Sequence, residues 1–220
     1  MSNFGFRHLR VVNPYEVAFR EARSAVGATP LLVQAEEFKS IADAIADCAL
    51  VVGTSAMSRR NPEQRVHNLR QGASVIRQRL ARGRVALLFG SEKRGLSNED
   101  FSHCHWLLRI PTREAHRSVN LGQAVAVCLY ELSRESKLAA PLKTNELARS
   151  GDLERLTAVL LDALRASGYL KLRSTKNSQA SSAMAAEEKV RRLVRRMNLS
   201  SEDAERLTGM FRQILWKFGT

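Results

Sequence analysis

Three short apolar runs, ALVV (49–52), VALL (85–88) and WLLRI (106–110), each empty into a loop carrying glycine, serine or proline. The first has no polar alternation, which marks a strand buried on both faces of a parallel sheet. Helical patterns separate the runs, and strands alternating with helices restrict the chain to an α/β fold with a largely parallel sheet. Ligands of such sheets bind beyond the carboxyl ends of the strands. The loops GTSA (53–56), GSEKRG (90–95) and PTREAHRSVN (111–120) are therefore expected to converge on one site.

The rest of the chain fits around that frame. HLRVVNP (8–14) reads as a further strand ended by a turn, and ARSAVGA (22–28) follows it without a clear period. In AEEFKSIADAIADC (35–48), Phe38, Ile41, Ile45 and Cys48 recur near helical spacing, so an amphipathic helix is expected. A helix is expected around 64–82, another beginning near SNEDFSHC (97–104), and a long one over 119–133 with Ser118 as its natural N-cap. Residues 1–135 thus form an α/β domain, 136–151 a linker with Pro141, and 152–220 a smaller helical unit. That unit should hold three helices, the first closed by Gly168 and the last started by Ser200 with Asp203. LRSTKNSQASSA (172–183) reads as a loop between the first two. The stripe Leu207, Met210, Phe211, Ile214, Leu215 and Phe218 is expected to be core.

Charge narrows the partners. The 220-residue chain carries a net charge of +13, which favours a polyanion through Coulombic attraction and counterion release. Between Arg59 and Arg84 stand eight arginines against one acid, Glu63. Arginine suits bidentate contact with phosphates, so Arg59, Arg60 and Arg65 are taken as RNA-binding candidates. No run of about eighteen apolar residues is present, so no membrane span is expected. The N-terminus lacks the apolar stretch of a signal peptide. Cys48, Cys104 and Cys128 are widely spaced and set in apolar patterns, which reads as reduced, buried thiols of a cytoplasmic protein.

The loop FGSEKRGLSNED (89–100) nearly spells a phosphate-binding P-loop, but the lysine position is Leu96 and Glu92 would repel a triphosphate. A neutral or cationic ligand fits better. Gly90 lets backbone approach where the strand ends, and Glu92 offers a carboxylate. Ser118 and Asn120 place a hydroxyl and an amide at the mouth of the long helix, where they can orient a substrate. His103, Cys104 and His105 are consecutive, so their side chains diverge and no metal site is expected.

The pieces LVVGTSA (50–56), LLFGSEKRGLSNE (87–99) and IPTREAHRSVNLGQAVAVCLYEL (110–132) resemble the three cofactor-binding motifs of the SpoU/TrmH branch of the SPOUT RNA methyltransferases. The strings FG-x-E-x-x-GL-x-NE and S-x-NL-x-x-AVAV with a following YE carry the resemblance, which covers most of residues 6 to 135. The helical tail is similar to the C-terminal extension of the TrmJ subgroup, which methylates the ribose 2′-hydroxyl of a cytidine or uridine opening the tRNA anticodon loop. The resemblance implies a trefoil-knotted α/β domain, an obligate homodimer and S-adenosyl-L-methionine as cofactor. By motif position, Thr54, Ser55 and Ala56 would touch its methionine and ribose. Gly90 and Ile110, with Arg117, Ser118 and Val119, would enclose its adenine. Glu92, Ser118 and Asn120 correspond to the polar residues of the methyl-transfer site.

Two positions depart from the family pattern. Arg117 stands where a small residue is more usual. The pattern also opens with a strand, an N-x-G turn and a helix carrying an arginine that activates the hydroxyl, whereas MSNFGF (1–6) resembles only the end of that helix. An internal start, a truncated chain or a degenerate relative would each explain this. Arg7, Arg10 and Arg20 are the nearby arginines, and none has the family's spacing. Ribosomal RNA methylation and a catalytically silent RNA-binding role therefore stay open beside tRNA methylation.

Overall fold

The computed structural model describes residues 1–14, 27, 29–56, 63–113, 118–134, 146–170 and 179–218, the side chains of 179–182 excepted. The expected features at ARSAVGA, at Arg20, Arg59, Arg60 and Arg117, and over most of the linker lie outside these residues. A short 3₁₀ turn, Ser2–Phe4, precedes strand β1, Arg10–Val12. Then come α1 (Thr29–Val33), β2 (Glu36–Phe38), α2 (Ile41–Ala44) and β3 (Leu50–Thr54). Next are β4 (Val66–Asn68), α3 (Leu69–Leu80), β5 (Val85–Leu88), α4 (Asn98–Ser102), β6 (Trp106–Arg109) and α5 (Leu121–Arg134). Three helices end the chain: α6 (Ser150–Ala166), α7 (Gln179–Arg196) and α8 (Ser201–Lys217).

Four strands form a parallel sheet in the order β4-β6-β3-β5, and β1 pairs with β2 in a separate parallel pair. The alternation along β3 and β6 divides the core in two, as a period-two strand must. Leu50, Val52, Trp106 and Leu108 face the side covered by α3 and α5, where Ala73, Ile76, Cys128 and Leu129 meet them. Val51 and Leu107 face the other side with Ile45, Cys48, Leu96, Phe101 and Cys104. Val51 and Val52 are both fully buried, which is why ALVV carries no polar residue.

Asp47 joins the two sheets. Its carboxylate takes a fork from Arg10, with Nη1 at 2.5 Å and Nη2 at 2.9 Å, and a second bond of 2.5 Å from Arg84 at the start of β5. These two guanidinium groups, Arg10 foremost, hold its carboxyl far below the usual carboxylate range.

Four sequence expectations are corrected. In the stretch 35–48, Glu36–Phe38 is a strand and the helix is only Ile41–Ala44. Pairing with β1 overrides the helical period, and Ser40 restarts the chain by accepting the Asp43 N–H. The expected helix over 64–82 likewise begins as strand β4, because it pairs with β6; Asn68 then caps α3 through the Gln71 N–H. Helix α7 starts at Gln179, inside the expected loop 172–183. In the stripe on α8, Leu207 and Phe211 pack on the tail's cluster of Ala148, Leu153, Leu156, Val194 and Ala204. Met210, Ile214 and Phe218 lie outside that cluster and are instead exposed at 59, 42 and 54 %, since no described element covers their face of α8. Gly168 does follow α6 with φ +73°, and Ser200 does cap α8 by accepting the Asp203 N–H.

The last part of the expected linker is packed. Ala148 donates its N–H to the Leu199 carbonyl at 2.9 Å, and the Ser150 and Gly151 N–H groups bond to the Cys48 and Ala46 carbonyls at 2.8 and 2.9 Å.

Two predictions follow from this packing. A Cβ on Gly72 of α3 would meet Leu108 Cδ1 at 2.3 Å and Trp106 Cζ3 at 3.1 Å. Gly72→Val should therefore destabilise the fold by about 2 kcal/mol, outweighing its small gain in helix propensity; an unchanged urea midpoint would contradict the close α3–β6 packing. Buried His105 accepts the Val51 N–H on Nδ1 at 3.1 Å, and burial lowers its pKa to about 3; burial, then Arg191, lowers His103 to about 4. Both imidazoles stay neutral when folded but take protons below about pH 6.5 when unfolded, so stability should fall as pH drops from 6.5 towards 4. His105 alone accounts for on the order of 3 kcal/mol over that range. Thermal melts that stay flat there would refute the neutral, buried assignment.

Candidate active site

The carboxyl ends of β5, β3 and β6 lie side by side, and two hydrogen bonds sew them together. Thr54 Oγ1 donates to the Leu88 carbonyl at 2.9 Å, and the Ser55 N–H donates to the Leu108 carbonyl at 3.0 Å. Ala56 is exposed just beyond, and Ile110 leaves β6 half-buried against the core. Three of the expected loops therefore start from one fixed edge.

The loop after β5 closes on itself. Ser91 and Gly95 form an antiparallel bridge, with the Gly95 N–H donating to the Ser91 carbonyl at 2.8 Å. Gly95 sits at φ +66°, a conformation that favours glycine. A Cβ on Gly90 would lie 2.0 Å from the Gly95 carbonyl carbon, so the closure demands glycine there as well. Leu96 is buried in the core behind the loop, and Ser97 with Asp100 forms a capping box on α4. The sequence signal for Gly95 is the G-x-x-x-x-G spacing, which sets where the ring shuts.

Glu92 projects from this ring and is exposed. Its Oε1 accepts from Asn120 Nδ2 at 3.4 Å, across 28 residues of sequence. The other end of the same amide caps α5: Asn120 Oδ1 accepts the Gly122 and Gln123 N–H groups at 2.9 and 3.4 Å. The N-cap expected at Ser118 is thus Asn120, because α5 begins at Leu121 rather than at Val119. Ser118 is exposed and Val119 half-buried on the approach to the helix. Capping fixes the amide's orientation, so its nitrogen must point away from the helix, towards Glu92. Glu92 and Asn120 are brought together by distinct loops of the sheet edge, as expected, while Arg117 lies outside the described residues.

The remaining candidates are placed differently. Arg65 is exposed at the start of edge strand β4, and its carbonyl accepts the Leu107 N–H at 2.9 Å. Arg10 is held by Asp47 and by the Ala44 carbonyl at 2.8 Å, so it is committed to joining the sheets. All three cysteines are free and buried, and burial raises Cys48 to about 11 and Cys128 to about 12. Inert thiols of this kind carry no nucleophilic chemistry. No helix among the described residues is long and apolar enough to cross a membrane.

A parallel sheet flanked by helices, with its strand ends tied into a polar, glycine-closed edge, defines an α/β protein, and comparison with known proteins gives its family. Residues 1–130 match the model of the SpoU rRNA Methylase family, and the chain belongs to that family. The tRNA (cytidine/uridine-2′-O-)-methyltransferase TrmJ of Sodalis glossinidius is 31 % identical over 220 residues, covering 97 % of this chain and 83 % of that protein. Its namesake from Photorhabdus laumondii is 33 % identical over 177 residues, with 78 and 73 % covered. Among solved structures, TrmJ from Z. mobilis ZM4 superposes with a TM-score of 0.82 at 28 % identity, over 97 % of this chain and 89 % of that one.

The double use of Asn120 gives a stability test. Asn120→Ala removes the cap of α5 and should cost about 1 kcal/mol, whereas Asn120→Ser keeps an acceptor there and should stay within about 0.5 kcal/mol of the parent. Equal losses in urea melts of the two variants would show that Asn120 does not cap the helix.

Proposed function

We propose that this chain is an S-adenosyl-L-methionine-dependent tRNA 2′-O-ribose methyltransferase that acts as a homodimer in the cytoplasm. The bond between Glu92 and Asn120 at the sewn strand edge carries the reading, in a chain whose family is that of RNA methylases. The choice of tRNA over ribosomal RNA is supported by relatives that align through the helical tail and are named for tRNA cytidine and uridine. Residues 1–135 would bind cofactor and carry out the chemistry, and 152–220 would help to hold RNA. A trefoil-knotted path is part of the proposal.

The donor set fits the cofactor. Backbone amides and carbonyls at Gly90 and Ile110 suit the hydrogen-bonding edge of adenine, with Thr54, Ser55 and Ala56 at the methionine and ribose side. Ser118, Val119 and Arg117 would close the slot from the α5 side. A single carboxylate, Glu92, favours a nearby sulfonium cation. When bound, S-adenosyl-L-methionine supplies a methyl carbon whose leaving group is a neutral thioether.

This chain's own residues then have three tasks. The strand edge holds the cofactor in one place, Ser118 and Asn120 orient the ribose, and Glu92, fixed by the Asn120 amide, accepts a hydrogen bond from the 2′-hydroxyl and takes its proton as the new O–C bond forms. Positioning supplies most of the effect, because in-line displacement needs little else. Val127 and Tyr130, exposed at 41 and 53 % on α5, with Phe4 stacked edge-on against Tyr130, support a dimer face on that helix. The net charge of +13 supports RNA as the substrate, with Arg59, Arg60 and Arg65 as phosphate contacts.

Methylation of unmodified tRNA transcripts, read as 2′-O-methylcytidine or 2′-O-methyluridine in nucleoside digests, tests the proposal. Wild type should transfer methyl groups, and Asn120→Ser should lower kcat about 10-fold with S-adenosylhomocysteine affinity kept. Cofactor binding without transfer to any RNA would favour a silent RNA-binding role instead. Neutralising Arg59, Arg60 and Arg65 together should weaken tRNA binding and flatten its salt dependence, by about 0.7–0.9 in log–log slope for each phosphate no longer neutralised. An unchanged slope would move the RNA footprint elsewhere.

A further inference from the structure

Helix α7 grips α4 at both ends. Arg192 Nη2 donates to the carbonyl of Asn98, its first residue, at 3.1 Å, and Arg191 Nη1 donates to Ser102 Oγ, its last, at 3.0 Å. Ser102 is fully buried and passes the bond on by donating to the Glu99 carbonyl at 2.6 Å. The other arms of Arg191 are equally committed: Nε to Glu154 Oε1 and Nη2 to Glu187 Oε1, both at 2.6 Å. Arg195, fully buried one turn further on, shares Glu154 through Oε2 at 3.2 Å.

Helix α4 is the element on which the glycine ring is mounted. Its capping box begins at Ser97, next to buried Leu96, which follows directly on the bridge residue Gly95. The same ring carries Glu92. The tail's apolar cluster shares no residue with the two clusters flanking the sheet, and the grip on α4 is made of guanidinium bonds. A join of directional, charge-assisted bonds specifies one geometry, whereas its net contribution to stability is small beside that of an apolar interface.

We propose that Arg191 and Arg192 are positioning residues that fix α4, and through it the Gly90–Leu96 ring with Glu92, against the helical tail of the same chain. Tail and catalytic ring then form one rigid unit, so that RNA held by the tail is registered to Glu92. This last consequence rests on the methyltransferase reading; the grip on the ring does not.

The test uses the full-length chain with Arg191→Met, Arg191→Lys and Arg192→Ala. Amide hydrogen exchange over 89–102 should speed up at least 10-fold in Arg191→Met and Arg192→Ala, while β3 and α3 keep their protection. The kcat for tRNA methylation should fall about 10-fold with tRNA and S-adenosylhomocysteine affinities within 3-fold of wild type, and Arg191→Lys should recover part of it. Should Arg191→Met fail to fold, Arg192→Ala, which loses one bond to α4 at a carbonyl, decides the question alone. Unchanged exchange over 89–102 in a folded variant would overturn the proposal, as would a uniform loss of protection across the sheet. A wild type that methylates no RNA would overturn the functional reading and leave the exchange result to judge the grip.

Discussion

The α/β part depends on β3 being paired on both edges and buried on both faces. Leu50 to Gly53 align with β5, and Val52 to Thr54 align with β6, so the strand has no free hydrogen-bonding edge over its central residues. Its side chains supply both halves of the core at once. Because three parallel strands end at the same level, their carbonyls and amides converge there, and Thr54 and Ser55 need only one bond each to lock the edge. Without that central strand the loops carrying Glu92 and Asn120 would have no common origin.

How much of this was legible in the sequence follows from what each signal measures. Continuous apolar runs report strands packed on two faces, fully buried in β3 and half-buried in β5, so β3, β5 and β6 were readable. Glycine at 90 and 95 reports backbone constraint, and the constraint proved to be a ring that admits no Cβ at position 90. The strands Glu36–Phe38 and Val66–Asn68 were not readable, because three residues are too few to establish a period and their state is set by a partner distant in sequence. The shift of the α5 cap from Ser118 to Asn120 has a similar cause. Both residue types cap well, and only the start of the helix decides between them.

The site repeats one economy: a polar side chain is fixed by one bond so that its other end can act. Asn120 is held by the helix N-terminus and presents its amide nitrogen to Glu92. Ser102 accepts from Arg191 and donates to Glu99. Such relays hold geometry where apolar packing would leave neighbours free to slide. They also explain why basic residues of the tail belong to the account of the site although none lies near the motif loops in sequence. Nothing in the sequence around arginines 191, 192 and 195 names their partners, and only the fold turns them towards α4 and Glu154.

The proposed cofactor slot is formed by the tied ends of β3, β5 and β6, with Glu92 and Asn120 at its reactive end. A crystal structure of this chain with S-adenosylhomocysteine tests it most directly. Adenine should be bonded to backbone between Gly90 and Ile110, with the sulfur directed towards the Glu92–Asn120 pair. Ligand bound away from this edge, or with its sulfur remote from both side chains, would contradict it.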